Sequence, residues 1–489
     1  MLQNAGVLSL GQIIMMSSMM LWTAIIARYV GPENYGLYAY AQATVSILVI
    51  FVNLGLDRLV ARDVAQQPQL AGQYLTTFLL IKCAMAIIVL GGFVIFVLLR
   101  GLTGHEAEIM IIVTINWFVI CLYSLANSVL HAHQAMHYVV VGQAGNSLLT
   151  LGSGAAAVAL HESFAVILLL SLSATLVQMV LAFWFSMRFV GLFCANREFL
   201  LLPGRTVGAL LRRSAPFAGL MLITVMYSNM VLLLLRELSS DVKTVGYFAA
   251  AQRIQSMTLV VPEVLLWAIF PAFSDAYGRS PARFAAMFER AYRYLLFVTV
   301  PMAVGLWVVG PEVLAAVFGP EFRPAGNTLR ILSLVLATAV GYVLGPAMAA
   351  MDRQKWEMIL YGAAMIGAAV AGYWAIPRYG AEGAAWAVVA GMVFSRAVYS
   401  VLVFRWLELW YPAAWVLKTL VASIIMGWVA SLAVQSVHFL VVSLVLGPAV
   451  YGVTHLVLGT LQPNDWDYLT QLLPATVRRA VVPASQRAA

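Results

Sequence analysis

The sequence predicts an all-α polytopic membrane protein of about 14 transmembrane helices, with two six-helix lobes related by an internal repeat and two extra C-terminal helices. Of its 489 residues, 63% are hydrophobic and 10% charged, and the mean hydropathy is +0.91. A soluble domain runs near 45–50% apolar and about 25% charged. Apolar stretches of the length that crosses a bilayer core, about 20 residues, recur along the whole chain. They are continuous, which excludes the alternating pattern of a membrane β-barrel, and they leave no room for a large soluble domain.

In order, the apolar segments cover residues 5–27, 37–56, 76–99, 108–130, 138–160, 164–187, 215–235, 245–271, 294–316, 328–350, 358–376, 383–404, 414–434 and 437–459. No Lys or Arg precedes the first run and no small-residue cleavage pattern follows it, so it reads as a retained helix. Gly31-Pro32 ends that helix, and Tyr35 and Tyr38 suit an interfacial aromatic belt. Pro377 and Gly380 make the turn between segments 358–376 and 383–404, and Gly383, Ala384 and Ala385 let the later helix pack closely. With the N-terminus inside, seventeen Lys and Arg fall in inside loops and six in outside loops. That asymmetry places both termini in the cytoplasm. The net charge of +8 is therefore mainly topological, and nucleic acid is not the partner.

The inside loop Arg188–Ser214 carries Pro203, Gly204 and five arginines and follows six helices, so it reads as a linker. The predicted boundaries are an N-lobe at 1–187, a cytoplasmic linker at 188–214, a C-lobe at 215–405, the extra helix pair at 406–459 and a cytoplasmic tail at 460–489. Within the tail, Trp466, Tyr468, Leu469 and Leu472 predict a short interfacial helix. A repeat joins the lobes: residues 35–42 match residues 245–252 at an offset of 210, with identities at Gly36/Gly246, Ala39/Ala249, Ala41/Ala251 and Gln42/Gln252. Such repeats facing one another across a cleft are a transporter architecture, with the substrate near the midplane.

Charge inside an apolar segment costs about 2.5–3.5 kcal/mol, so each instance needs a reason. Arg253 and Glu263 lie either side of a predicted bend at Pro262, and the repeat partner of Glu263 is Asn53. Arg253 either lines a cavity or snorkels, while Glu263 lines the cavity or pairs with a neighbouring helix. Arg28 and Arg330, near the outer surface, are interfacial anchors or substrate contacts. Asp57, Arg58, Arg62 and Asp63 suit local ion pairing or substrate capture at the cavity entrance. Lys82, one turn into its helix, is expected to snorkel, and Arg396 beside Ser395 suits a helix–helix hydrogen bond. His131, His133 and His137 lack the acidic or thiol ligands that would complete a metal set. Cys83, Cys121 and Cys194 are expected to be reduced packing residues. Neither a nucleotide-binding loop nor a catalytic constellation is present, which points away from an enzyme and from any cofactor.

Several strings resemble the polysaccharide flippase family of the multidrug/oligosaccharidyl-lipid/polysaccharide (MOP) exporter superfamily, including O-antigen and exopolysaccharide translocators. They are residues 27–38 (ARYVGPENYGLY), 54–63 (LGLDRLVARD), Phe270-Pro271, 318–322 (FGPEF) with 329–332 (LRIL), and 376–385 (IPRYGAEGAA). The resemblance implies two six-helix lobes opening alternately inward and outward in a bacterial inner membrane. It implies a cationic cavity lined by the first, second, seventh and eighth helices, which here carry Gln42, Asn53, Arg58, Gln252, Arg253 and Glu263. The implied cargo is a polyprenyl-diphosphate-linked oligosaccharide. Arg253, with Arg58 or Arg28, would hold the diphosphate, Arg330 is a further candidate contact, and Glu263 is the candidate for ion coupling. Membrane lipids and the polysaccharide polymerase and glycosyltransferases of the same pathway are the implied partners. The alternatives are a lipid II flippase, a multidrug antiporter, or, from another class, a membrane glycan polymerase or ligase. The first helix lacks the charges expected of the lipid II flippases, and no outer loop is large enough for an enzyme.

Overall fold

A computed structural model describes residues 2–459 except 103, 194–201, 240, 264–272, 274–279, 339–340, 352 and 411–412. Helices account for its regular structure, and no strand occurs among the described residues. In chain order they are α1 (Leu2–Asn53), α2 (Leu56–Gln66), α3 (Ala71–Leu99), α4 (Gly104–Ala132), α5 (Met136–Ala159), α6 (Phe164–Phe193), α7 (Gly204–Leu238) and α8 (Val242–Thr258). There follow α9 (Pro281–Phe318), α10 (Gly326–Ala337), α11 (Gly341–Ala350), α12 (Gln354–Trp406), α13 (Ala413–Ala433) and α14 (Gly447–Val457). Among the described residues, nine helices are long and apolar enough to cross a membrane. The proposed tail helix, Cys194 and Phe270-Pro271 lie outside the described residues.

Two long helices are interrupted where the sequence breaks. In α1, Gly31 adopts φ 73°, ψ 175° directly before Pro32, a region essentially restricted to glycine. Gly380 interrupts α12 at φ 53°, ψ −124°. The close approach expected at Gly383 is also present, since a Cβ there would collide with the carbonyl of Ala375.

The chain forms two compact units. The first comprises Met1–Arg253, Leu314–Thr328 and Met358–Gly391; the second comprises Ile254–Val313, Leu329–Glu357 and Met392–Ala489. In the first, Leu56, Leu59, Val60 and Val64 follow helical spacing, so α2 is amphipathic. That stripe packs on Tyr74, Leu75 and Phe78 of α3 and on Leu125 and Val129 of α4. Lipid tails are as apolar as leucine, so contact between spanning helices relies on close packing of small residues. Gly154 accordingly lies under the Trp22 ring and Gly391 against the Ala364 carbonyl, with no room for a Cβ at either.

In the second unit the rings of Phe288, Tyr292 and Phe404 meet at centroid distances of 5.1–6.0 Å. Tyr451 of α14 donates a hydrogen bond to the carbonyl of Phe297 at 2.8 Å. Arg396 makes the expected helix–helix bond, donating to the Gly341 carbonyl at 2.9 Å.

Candidate functional site

The break at Gly31 turns the second half of α1 so that its first two turns meet α8. Gly36 and Gly246, which are repeat partners, touch backbone to backbone there: a Cβ on Gly246 would strike the Pro32 carbonyl, and one on Gly36 the Val242 carbonyl. One to two turns further along each helix lie Gln42 and Arg253. Arg253 is half-buried, its Nη2 donates to Thr23 Oγ1 at 3.4 Å, and its Nε is buried without a partner. Its guanidinium lies within electrostatic range of the Tyr35 and Tyr38 hydroxyls, with Trp22 and Gln42 close to Tyr38. A buried donor left without a partner costs about 1–3 kcal/mol. This cluster therefore combines a half-buried cation with hydroxyl and amide groups, a set suited to a phosphate-bearing ligand.

Tyr35 corrects an expectation. It does not sit in an interfacial belt: it is 5% exposed and its ring packs against Phe318 and Phe322, both at 5.8 Å. The turn at Gly31 aims it at these rings.

Lys82 also departs from expectation. Rather than snorkelling, it is fully buried, and its Nζ donates to Asp57 Oδ1 at 2.6 Å, the Cys121 carbonyl at 2.9 Å and Ser124 Oγ at 3.3 Å. Asp57 Oδ2 accepts from Ser124 Oγ at 2.7 Å and from Asn53 Nδ2 at 2.9 Å. The carboxylate is thus turned inward to α3 and α4, and of the four neighbouring charges only Arg62 and Asp63 pair locally, at 3.0 Å. A buried ammonium is tolerated when every N–H is satisfied, and here all three are.

The other candidates are dispersed. Arg58 is exposed on α2. Arg28 donates to the carbonyls of Ala316 and Val317, so it caps the C-terminus of α9, where cations are favoured. Gln252 donates to the Ser228 carbonyl at 3.2 Å. In the second unit, Arg330 Nε donates to the Trp307 carbonyl at 3.1 Å, and the Glu263 backbone continues the helical pattern by bonding to Leu259. Sequence reasoning missed Thr23 and Ser124 as partners. Each is a single polar residue inside an apolar run, a signal too common to single out.

The comparisons with known proteins agree with this architecture. A family model described as "Polysaccharide biosynthesis protein" matches residues 1–277. Among solved structures, the lipid II flippase MurJ in an inward closed conformation is similar with TM-score 0.71 at 15% identity, covering 92% of this chain and 98% of that one. An inward-facing multidrug resistance MATE transporter of the MOP superfamily is similar with TM-score 0.63 at 16% identity, covering 80% and 94%. A MATE protein in a bent conformation gives TM-score 0.52 at 17% identity, covering 81% and 93%. No curated protein sequence matches the chain.

Proposed function

The chain belongs to the polysaccharide biosynthesis protein family of the MOP superfamily, and from that premise we propose that it is a flippase for polyprenyl-diphosphate-linked oligosaccharide. It moves this cargo from the cytoplasmic to the outer leaflet of the bacterial inner membrane by alternating access. The observation that carries the reading is Arg253, a cation held inside an apolar helix with its Nε buried and unspent, close to Thr23, Tyr38 and Gln42. A structural neighbour described as a lipid II flippase favours a lipid-linked cargo here as well.

In this reading the lobes at 1–187 and 215–405 rock about the linker 188–214, with both termini cytoplasmic. The diphosphate binds Arg253 by charge-assisted hydrogen bonds, with Arg58 or Arg28 as an auxiliary cation. The sugars contact Gln42, Gln252, Asn53 and Arg330, and the polyprenyl tail stays in lipid. Moving one charge through 100 mV is worth about 2.3 kcal/mol, so an anionic headgroup leaves a negative interior downhill. Ion antiport through Glu263 is the competing source of energy.

Replacing Arg253 with Ala should abolish glycan export while the protein still accumulates in the membrane. Near-normal export would remove Arg253 from the site. Vesicles holding an imposed potential without an ion gradient separate the two energy sources: cargo that stays in place there argues for antiport.

A further inference from the structure

Between α1 and α2 the chain unwinds for two residues, Leu54 at φ 50° and Gly55 at φ 72°. Asn53 and Asp57 flank this break, and Lys82 and Ser124 approach from α3 and α4. We propose that Asn53, Asp57, Ser124 and the Cys121 carbonyl form a monovalent-cation site in which the Lys82 ammonium serves as a tethered cation in place of a free alkali-metal ion.

Three observations carry this. The ammonium is surrounded by the oxygen types that bind hard cations: a carboxylate at 2.6 Å, a backbone carbonyl at 2.9 Å and a hydroxyl at 3.3 Å. The oxygens outnumber the donors. Asn53 is 9% exposed, its amide nitrogen is bound to Asp57 Oδ2, and its buried Oδ1 accepts from nothing. An ammonium offers three directed hydrogens and spends them on Asp57, Cys121 and Ser124, so the Asn53 oxygen, held beside Asp57 through its own amide nitrogen, is left over for a bare spherical ion. Lastly, Asn53 and Asp57 flank an interrupted membrane helix, the backbone setting in which transporters hold coupling cations.

An ordinary buried salt bridge needs a carboxylate and an ammonium with their remaining valences filled; it has no use for an orphaned amide oxygen beside a broken helix. With its own cation built in, this half of the protein keeps the site filled whatever the sodium concentration. The inference does not rest on the cargo assigned above, and it gives Asn53 to this site instead of to the sugars.

The test uses the full chain purified in detergent, with thermal unfolding followed in sodium chloride and in choline chloride at equal ionic strength. Wild type should melt at the same temperature in both. Lys82→Ala opens the site to a free ion, so its melting temperature should fall in choline and rise saturably with sodium. The rise should vanish in Lys82→Ala/Asp57→Asn. If Lys82→Ala does not accumulate, Lys82→Met, which better preserves the volume, replaces it in the same titration. The proposal is overturned if the variant melts alike in both salts. It is also overturned if both single variants fail to fold in sodium while Lys82→Met/Asp57→Asn accumulates, because sodium would then be unable to stand in for the ammonium.

Discussion

Gly246→Ala is the sharpest perturbation the packing offers. The added methyl would meet the Pro32 carbonyl, and its neighbours on the facing segment are backbone atoms, including the amide nitrogen of Gly36. Backbone cannot rotate aside as a side-chain tip can, so α1 and α8 must separate. Overpacking costs about 1–3 kcal/mol, and the rigidity of both partners puts this case toward the upper end. Since 1.4 kcal/mol is a factor of ten, the packed arrangement should lose roughly ten- to a hundredfold in population against any state in which the two helices part. Glu33 and Lys243 flank the contact, with their charged atoms 3.9 Å apart. The assay is oxidative cross-linking of a Glu33→Cys/Lys243→Cys pair, with and without Gly246→Ala, alongside thermal unfolding of each protein. Lower cross-linking yield and a lower melting temperature are expected. Unchanged values of both would refute the claim that this contact is closed by backbone.

Asp57→Asn alone leaves Lys82 buried without a counter-charge and should cost about 3–5 kcal/mol, read as a collapse of the melting temperature. Gly31→Ala forces a side chain into a glycine-only conformation and should cost about 1–3 kcal/mol, measured by unfolding of the purified protein. Arg100 and Glu237 form a two-bond pair at 2.9 and 3.0 Å, yet are 49% and 40% exposed; a double-mutant cycle should return a coupling below about 1 kcal/mol. Burial holds the His133 imidazole below its ordinary range. The unfolded chain therefore binds that proton more tightly, and stability should drop as pH falls below about 6.5; His133→Phe should flatten melting curves taken between about pH 7 and 5.

The helices and their breaks were legible because they rest on local rules. Twenty apolar residues make a span, and Gly31-Pro32 and Gly380 are places where only glycine fits the backbone. The Gly36/Gly246 pairing was visible as a repeat, although its physical meaning, two backbones in contact, needed the fold. Arg253 stood out because charge in an apolar run is rare. Lys82 was misread for the same reason that it was noticed: spacing along one helix says how far a side chain is from the membrane surface, not what faces it from two others. Its partners, Asp57 and Ser124, are 25 and 42 residues away along the chain. Arg28 was equally opaque, since its acceptors are carbonyls of α9 nearly 290 residues distant, and backbone oxygens leave no mark in a sequence.

The burial of Lys82 also makes the molecule its own reporter. The chain has four lysines, and the other three, Lys243, Lys355 and Lys418, are exposed. An amine-reactive reagent should therefore modify Lys243 and Lys355, which lie outside the predicted apolar segments, at once and reach Lys82 only when α2, α3 and α4 come apart. The rate at which that one amine becomes labelled, followed by mass spectrometry, would time the opening of this helix cluster in native membranes, with no probe engineered into the protein.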